Sequence, residues 1–407
     1  MKSYRGNRLT IAILGRCNTG KSTLLNHLVG QEVAIVSPQP GATGDPVPLS
    51  FELLPFGPVT FYDTAGGDES SELGLLRRES GRKILAAADL ALVVTDEQGM
   101  GEYEEELVSA LQDLHTPFLV IFNKSDKHGE AARTGMERCV ARGVPCQALS
   151  AVSATDPTPL REALLRLAPK KEAALPLVVD LLPEGAPVIC VTPIDASAPA
   201  GRLIVPQVQV LRELIEHNHP VLTVQPGMLE RGLALLQCDP ALIITDSQAV
   251  REVAAIVPRH VPLTTFSVIF SRNKGGFDAS LKGARCIDSL APGAAILVAE
   301  ACAHHAQKDD IARVKLSAML QKYLGHSLDF TYCSGRDFPA DLDRFALVLH
   351  CGACMLNANE MRRRLQICAD SNVSVTNFGM TIALTQGLFD RIHEPFLRST
   401  NHLAASD

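Results

Sequence analysis

The sequence predicts an α/β protein of three domains, in which a first domain with a mostly parallel sheet precedes two smaller α/β domains. Three observations predict this class. Short apolar runs alternate with helix-like segments, which is typical of parallel sheets with crossover helices. A glycine-rich turn follows the first of these runs. The 407 residues exceed what one hydrophobic core usually holds. We therefore expect domains at residues 1–172, 173–264 and 265–407.

The first domain has five strand candidates separated by helical segments. A charged segment bounded by prolines, at residues 168–176, predicts its end. Because each strand is followed by a helix, right-handed crossovers and a parallel sheet are expected. The strand candidates are residues 9–14, 59–62, 90–94, 118–122 and 146–149.

The second and third domains repeat the pattern. The second has no glycine-rich loop and no cluster of catalytic residue types, so we interpret it as an assembly or spacer domain. Its strand candidates are 188–191, 221–224 and 242–244, and its helix candidates are 208–217, 229–236 and 247–257. In the third domain, strands are expected at 294–299 and 345–349, and helices at 277–287, 311–324 and 359–368.

Composition restricts the class of partner. The formal net charge of −7 argues against binding nucleic acid through the overall field. The 11 cysteines are too sparse for a disulfide scaffold. We find neither a secretory leader nor an apolar run long enough to span a bilayer. The expectation is a soluble cytoplasmic protein with reduced cysteines and neither nucleic-acid nor membrane partners.

Residues 15–22 read Gly-Arg-Cys-Asn-Thr-Gly-Lys-Ser and match the Gly-x-x-x-x-Gly-Lys-Ser phosphate loop between a strand and a helix. Backbone N–H groups at a helix N-terminus cradle phosphates, and glycine permits their close approach. Lys21 is expected to neutralise the β- and γ-phosphates and Ser22 to bind Mg²⁺. The loop residues predicted to contact nucleotide are Gly15, Asn18, Thr19, Gly20, Lys21, Ser22 and Thr23.

Two further segments predict the switch regions. Residues 63–66, Asp-Thr-Ala-Gly, end a strand, so Asp63 approaches Mg²⁺ and the Gly66 N–H can sense the γ-phosphate. Thr43, in Gly-Ala-Thr-Gly-Asp, can close on Mg²⁺ when that phosphate is present. Both segments follow the phosphate loop in the order that phosphoryl-transfer switches require.

The base-recognition residues follow. Asn123 and Lys124 stand three and two residues before Asp126 in Asn-Lys-Ser-Asp at the end of a strand. A carboxylate there accepts N1–H and the exocyclic amine of guanine, a pattern that adenine lacks. Ser150 and Ala151 stand where a backbone N–H turns toward guanine O6. Four motifs in this order predict a P-loop GTPase domain that binds GTP or GDP with Mg²⁺.

The domain resembles the translation-factor-related GTPases of tRNA modification and ribosome assembly. In potassium-stimulated members an asparagine at the position of Asn18 helps to hold K⁺. Gly67 stands where Ras-type enzymes carry a water-orienting glutamine. Slow, potassium-stimulated hydrolysis is therefore implied, with Lys21, Asn18 and Thr43 as the catalytic residues.

A second constellation lies in the third domain. His350-Cys351-Gly-Ala-Cys354 follows one strand candidate, and Glu300-Ala-Cys302-Ala-His304-His follows another. Strand ends of one parallel sheet lie near each other, so these cysteines can meet in a crevice at the sheet edge. Buried structural thiols, a redox turn, a Cys₃His zinc site and an iron–sulfur cluster are the readings that remain open.

The combination of a potassium-type GTPase domain, an α/β spacer and Cys-x-His with His-Cys-x-x-Cys resembles the FeFe-hydrogenase maturation GTPases. The resemblance implies a 4Fe-4S cluster on Cys302, Cys351 and Cys354. It implies a scaffold on which the two-iron precursor of the hydrogenase active site is completed and then delivered. The implied partners are radical-SAM maturation enzymes, apo FeFe-hydrogenase and the chain itself, which forms a homodimer through the middle domain or a tetramer.

The fourth cluster position has several candidates. His304, Glu300 and His350 can each be ligands or hydrogen-bond to the site, and an exchangeable ligand is the fourth option. Cys333 and Cys368 lie outside the motif and are interpreted as structural. The alternative function is a GTPase of RNA modification or ribosome assembly with a structural zinc module. A GTPase controlled by a Cys351–Cys354 disulfide is the third.

Overall fold

The computed structural model describes residues 8–31, 47–53, 57–63, 84–85, 87–127, 129–169, 175–194, 203–301, 315–335, 337–339, 341–353 and 356–403. The chain divides into two compact units, Met1–Glu172 and Ala173–Asp407. Both are built from α-helices and mostly parallel sheets, which confirms the predicted α/β class. No helix of the described ranges is long and apolar enough to cross a membrane.

The first unit contains one sheet in the order β2-β3-β1-β4-β5-β6. Only β2 runs antiparallel, against β3, and the other pairs are parallel. The strands are β1 (Leu9–Leu14), β2 (Val47–Leu53), β3 (Gly57–Asp63), β4 (Leu90–Thr95), β5 (Phe118–Phe122) and β6 (Cys146–Ala148). The described helices are α1 (Lys21–Val29), α2 (Glu102–Asp113), α3 (Glu130–Ala141) and α4 (Thr158–Leu167).

The central strands β1, β4 and β5 are buried almost throughout, because helices cover both faces of a parallel sheet. Their continuous apolar runs are why the sequence located them within one or two residues. The sequence did not reveal β2, whose Pro48 cannot donate to a ladder. An edge position tolerates that proline.

The second unit contains two four-stranded parallel sheets, ordered β10-β9-β7-β8 and β12-β11-β13-β14. The first consists of β7 (Val188–Val191), β8 (Val221–Val224), β9 (Leu242–Thr245) and β10 (Leu263–Thr265). The second consists of β11 (Ala295–Glu300), β12 (Asp329–Ser334), β13 (Leu347–His350) and β14 (Ser374–Asn377). The helices are α5 (Val205–Glu216), α6 (Leu229–Ala234), α7 (Val250–Ile256), α8 (Phe266–Asn273), α9 (Phe277–Arg285), α10 (Ser317–Leu324), α11 (Ala358–Asp370), α12 (Phe378–Thr385) and α13 (Phe389–Leu403).

One hydrophobic core joins these two sheets. Ile189 and Ile243 of the first sheet belong to the same buried cluster as Ile296 and Leu347 of the second. A hydrogen bond also links β10 to the last helix, since the Thr264 hydroxyl donates to the carbonyl oxygen of Ile392 on α13 at 2.8 Å. The segments predicted as second and third domains therefore share a core, and the boundary at 264/265 stays a prediction.

Candidate functional site

The phosphate loop lies between β1 and α1, and two of its glycines have conformations that other residues avoid. Gly15 has φ 145°, and a Cβ there would lie 2.1 Å from the carbonyl oxygen of Val94. Gly20 has φ 87°, and a Cβ there would lie 2.4 Å from Nδ2 of Asn123. Glycine is thus required at both ends of the loop, by backbone conformation and by space. The absent side chains leave the cradle that phosphates occupy in such loops.

Lys21, Ser22 and Thr23 open helix α1 directly after this loop. The Lys21 ammonium is largely buried and donates to the carbonyl oxygens of Gly15, at 3.0 Å, and Arg16, at 2.6 Å. These bonds hold the charge inside the curve of the loop. A phosphate bound there would meet a positioned cation at a helix N-terminus.

Asn123 connects three of the predicted motifs. Its Nδ2 donates to the carbonyl oxygen of Thr19 at 2.8 Å, and its Oδ1 accepts from the Ala151 N–H at 3.0 Å. The side chain is buried. The phosphate loop, the Asn-Lys-x-Asp motif and the Ser150-Ala151 turn therefore form one assembly, although Thr19 of the loop lies 104 positions before Asn123.

Lys124 and Asp126 are placed by the same turn. Lys124 has φ 55°, and its ammonium pairs with Asp96, at 3.3 Å, and Glu97, at 3.4 Å. Asp126 lies in a short 3₁₀ turn, Ser125–Lys127, and is exposed. The Ser125 N–H donates to the carbonyl oxygen of Leu149 at 3.1 Å, which ties this turn to the segment before Ser150.

The sequence did not reveal the role of Arg16. Its Nε donates to Oε1 of Glu104 at 2.9 Å, and its guanidinium also donates to the carbonyl oxygen of Gly99 at 2.7 Å. Glu104 is completely buried in the first turn of α2, and its other oxygen accepts from the Gly101 N–H at 3.0 Å. Arg16 therefore ties the phosphate loop to the loop after β4 and to α2.

Four more residues were predicted to contact the nucleotide, Mg²⁺ or K⁺, and the structure describes two of them, Asn18 and Asp63. Asn18 has φ 60°, in the left-handed region that asparagine tolerates. Asp63 ends β3 opposite Ile13 of β1, beside the strand that leads into the phosphate loop. Thr43 and Gly66 lie outside the described residues, so their predicted roles stay predictions.

The second candidate site lies where β11 and β13 end. These strands are parallel neighbours, with Ala299 opposite His350, and the Cys351 N–H donates to the Ala299 carbonyl oxygen at 2.9 Å. The chain leaves β11 for β12 on one side, while β13 lies on the other. Such a switch point opens a crevice at the carboxyl ends of the strands, where ligands bind in open α/β sheets.

The Cys351 sulfur is held by backbone N–H groups. The N–H of Ala301 donates to Sγ at 3.0 Å, and the N–H of Ala353, which has φ 54°, also hydrogen-bonds to it. Burial raises the pKa of the thiol, while these two bonds and the charge of Arg364 act in the opposite direction. Buried Ala301, Ala353, Leu356 and Met361 form an apolar cluster against Cys351. N–H donors to a sulfur in an apolar shell fit a thiolate whose charge a metal shares.

His350 uses both of its ring nitrogens inside the protein. Nε2 lies 3.0 Å from Nη1 of Arg364, and Nδ1 lies 2.8 Å from the carbonyl oxygen of Cys351. Because guanidinium only donates, Nε2 accepts and Nδ1 carries the proton. Burial, followed by the charge of Arg364, lowers the pKa of His350 to about 4. In this geometry the imidazole holds the Cys351 backbone through a hydrogen bond to its carbonyl oxygen.

The remaining predicted ligands are incompletely described. Glu300 ends β11 beside Ser334 of β12, whereas Cys302, His304 and Cys354 lie outside the described residues. Within the ranges that the structure describes, no three His, Cys, Asp or Glu side chains converge as a metal site.

Cys333 and Cys368, which the sequence assigned to structural roles, lie in or beside a hydrophobic cluster behind the crevice. Burial raises the pKa of Cys333 to about 11 and that of Cys368 to about 12. Such thiols are unreactive at neutral pH.

The cysteine turn also rests on the first sheet of its unit. A side chain at Gly352 would lie 3.3 Å from Oγ of Ser267, at the start of α8. A side chain at Gly379 would lie 2.9 Å from Oγ of Ser247, which follows β9. The carboxyl ends of both sheets therefore meet close to Cys351.

Family models match most of the chain. The Hydrogen maturase F dimerization domain matches residues 177–275, and the Hydrogen maturase F tetramerization domain matches residues 278–395. Together these two models span more than half of the 407 residues. A 50S ribosome-binding GTPase model matches residues 10–124.

Curated relatives match part of the chain. The tRNA modification GTPase MnmE of Rhodopseudomonas palustris is 40% identical over 149 residues, covering 36% of this chain and 31% of MnmE. GTPase Era of Caldicellulosiruptor saccharolyticus is 32% identical over 119 residues, covering 28% of this chain and 39% of Era. The chain thus spans about a third of the length of these relatives.

Among solved structures, Era in complex with MgGDPNP and a fragment of 16S ribosomal RNA is 23% identical, with a TM-score of 0.36. The match covers 53% of this chain and 92% of that one. Motifs, sheet and family match agree on the first unit, which is a P-loop GTPase domain for GTP, GDP and Mg²⁺. The matches to the second unit assign self-association to it.

Proposed function

Because the chain belongs to the hydrogen maturase F family, we propose that it is a GTP-hydrolysing scaffold for the metal site of FeFe-hydrogenase. It holds a 4Fe-4S cluster on Cys302, Cys351 and Cys354. The two-iron precursor of the hydrogenase active site is the cargo, which the chain receives and transfers to the apo-hydrogenase. Radical-SAM maturation enzymes supply the cargo, and these exchanges take place in the cytoplasm between this chain, as a homodimer or tetramer, and its partners.

The observation that carries the proposal is the bond from the Ala301 N–H to the Cys351 sulfur. Ala301 directly precedes Cys302 in the chain, so the bond brings the two cysteine-bearing strand ends together. Parallel neighbours with thiols at their carboxyl ends form a crevice, and the apolar shell beside Cys351 limits water access. Thiolates are the ligands that iron–sulfur clusters require, so Cys302, Cys351 and Cys354 would hold the cluster, which would supply iron for contact with the cargo.

For the fourth iron ligand we favour a group other than His350. Both of its nitrogens are engaged, one with Arg364 and one with the Cys351 carbonyl oxygen. Glu300 at the end of β11, His304 and an exchangeable ligand remain the candidates. An exchangeable position would leave one iron open to the arriving cargo.

In the GTPase unit, Lys21 neutralises charge on the transferred phosphoryl group, and Ser22, Thr43 and Asp63 hold Mg²⁺. Asn18 assists K⁺ beside the phosphates, and Asp126 selects guanine. Gly67 stands in place of a water-orienting glutamine, so catalysis depends on positioning and electrostatics alone. GTP turnover is therefore slow, which suits a switch. Thr43 and Gly66 order the switch segments on GTP, and hydrolysis changes a contact with a partner protein.

Anaerobic reconstitution with iron and sulfide tests the metal assignment. We expect a brown protein that absorbs near roughly 400 nm, with four irons per chain, as cysteine-ligated clusters do. Cys351→Ser should abolish it, while Cys238→Ser, at an exposed cysteine of the same unit, should not. Stoichiometric zinc would support the zinc-module alternative instead, and a metal-free reversible disulfide would support the redox switch.

A phosphate-loop variant tests whether the two sites are coupled functionally. Lys21→Ala should abolish GTP hydrolysis and leave the cluster spectrum intact, because the two ligand sets are separate. Loss of the cluster in this variant would mean that the units depend on each other for folding. Cargo transfer to apo-hydrogenase, measured with and without GTP, then reports which step hydrolysis controls.

A further inference from the structure

Arg364 is the largest fully buried side chain of the described residues, with 1% of its surface exposed. It projects from α11 behind the cysteine turn. Its Nε donates to Oε1 of Glu360 at 2.8 Å, its Nη1 donates to His350 at 3.0 Å, and its Nη2 donates to the Gly335 carbonyl oxygen. Its guanidinium carbon lies 5.0 Å from the centre of the Phe338 ring. These four contacts fix the guanidinium in one position.

The charges around Arg364 do not cancel. Glu360 is 4% exposed and is the carboxylate partner of Arg364, but it is shared. Arg363 donates to both oxygens of the same carboxylate, at 2.8 and 2.9 Å. One negative charge thus faces two positive charges, and Arg364 is the more deeply buried of the two cations. Glu360 therefore compensates the charge of Arg364 only in part, while the carboxylate of Glu300 acts on the Cys351 sulfur in the opposite sense to Arg364.

His350 connects Arg364 to the backbone of Cys351. Its Nε2 accepts from Arg364, and its Nδ1–H donates to the Cys351 carbonyl oxygen. The Cys351 backbone is held by the Ala299 carbonyl oxygen on its other side. The guanidinium thus reaches the Cys351 backbone through one histidine. Arg364 and His350 are each 1% exposed, whereas Cys351 is half-buried. Low-dielectric surroundings strengthen the field of a buried charge.

We propose that Arg364 is a positioning and electrostatic residue that stabilises negative charge on the metal site at Cys351, and so raises its reduction potential. The inference rests on the proposed function, because it assumes that Cys351 is a metal ligand. Reduction adds an electron to a site that already carries thiolate and sulfide charge. A fixed cation nearby favours the reduced state, since cluster potentials follow net charge and the hydrogen bonds around the sulfurs.

Redox titration of the reconstituted chain, monitored by electron paramagnetic resonance, tests the proposal. It compares variants that are expected to shift the midpoint potential in opposite directions. Arg364→Met removes the cation at similar volume and should lower the midpoint potential. Glu360→Gln removes the compensating anion and should raise it. Arg362→Met, which removes one exposed cation from the same helix, is the control and should leave the midpoint unchanged. Arg364→Lys keeps the charge and should stay closer to the unaltered chain than Arg364→Met does.

A purely structural role would give a different pattern. Arg364→Met and Glu360→Gln would then shift the midpoint in the same direction, or neither would differ from Arg362→Met, and either result overturns the proposal. If Arg364→Met does not fold, the other two variants test the proposal. Glu360→Gln should raise the midpoint potential, and Arg364→Lys should keep it close to that of the unaltered chain.

Co²⁺ binding to the metal-free chain separates this inference from the proposed function. A chain that takes up no iron refutes the cluster assignment, yet Co²⁺ affinity still reports on Arg364 through thiolate charge-transfer bands. We expect Arg364→Met to weaken Co²⁺ binding by about tenfold to a hundredfold, as for other residues that orient metal ligands. Equal affinity in Arg364→Met and Arg362→Met would overturn the proposal.

Discussion

The side chain of Asn123 donates to the carbonyl oxygen of Thr19 over 2.8 Å and so joins guanine recognition to phosphate binding. The same side chain accepts from the Ala151 N–H. A residue of the base-recognition motif therefore determines the shape of the phosphate loop. The two halves of a nucleotide cannot be recognised independently in this unit.

Replacement of Asn123 by alanine should weaken binding of GTP and GDP alike. The change removes two buried hydrogen bonds and leaves the Thr19 carbonyl and the Ala151 N–H without this partner. At about 1 kcal/mol for each lost bond, affinity should fall by roughly thirtyfold. Titration with a fluorescent guanine nucleotide measures it. Loss of base selectivity with unchanged affinity for phosphate would contradict the link to Thr19.

Gly20→Ala should damage the phosphate loop more than its backbone angle alone requires. Gly20 and Gly143 both have positive φ, but only at Gly20 would a Cβ meet another group, Nδ2 of Asn123. Gly143→Ala is therefore a matched control, expected to cost about 1 kcal/mol of unfolding free energy. Gly20→Ala should cost at least about 2 kcal/mol and also weaken GTP binding, because Asn123 must move. Equal losses in urea unfolding would contradict this explanation.

Glu104→Ala should destabilise the first unit and loosen the phosphate loop. It leaves the largely buried Arg16 with only the more distant carboxylate of Asp96, at 3.7 Å, a loss on the order of 3 kcal/mol. Glu106→Ala, at an exposed position of the same helix, should change stability by no more than about 0.5 kcal/mol. Thermal unfolding and GTP affinity measure both effects. An unaltered GTP affinity in Glu104→Ala would show that the Arg16–Glu104 ion pair stabilises α2 but does not position the phosphate loop.

GTP turnover should be faster in potassium than in sodium buffer. Asn18 has a left-handed backbone, so Asn18→Gly removes the amide without straining the loop. The variant should hydrolyse GTP at the sodium rate in both buffers. Steady-state phosphate release measures the rates. Equal rates for the unaltered chain in the two buffers would remove the potassium hypothesis.

The stability of the metal-free chain should fall in mild acid because of His350. Its pKa is lowered from 6.5 to about 4, so the unfolded chain binds more protons between these values. The free energy of unfolding therefore decreases as pH falls through this interval, by up to about 3 kcal/mol, and this contribution is constant above it. Urea unfolding at several pH values measures the slope. His350→Gln should flatten it, and His217→Gln, at an exposed histidine, should not.

The GTPase site could be predicted because its chemistry lies in short motifs. Residues 15–22 and 123–126 form contiguous motifs of a few residues, so the sequence alone identifies them. The buried ion pair between Arg16 and Glu104 could not be predicted in this way. Its partners are 88 positions apart, and Glu104 stands in an acidic segment whose other members face solvent or are only partly buried.

The crevice at Cys351 was predictable for a different reason. Two apolar runs ending in cysteine-rich turns belong to one parallel sheet, and its topology brings their ends together. The tautomer of His350 and the burial of Arg364 depend on how α11 packs behind that sheet. Periodicity indicates that α11 is a helix, but not that one of its cations faces inward.

The core shared by the two sheets of the second unit has an evolutionary consequence. Ile243 and Ile296 belong to one buried cluster, and Ser267 lies against Gly352 beside the cysteines. A recombination event between the segments matched at 177–275 and 278–395 would expose apolar surface on both fragments. The segment matched as a dimerization domain and the segment matched as a tetramerization domain, which carries the cysteines, should therefore be inherited together. We expect related chains to exchange them only as a pair.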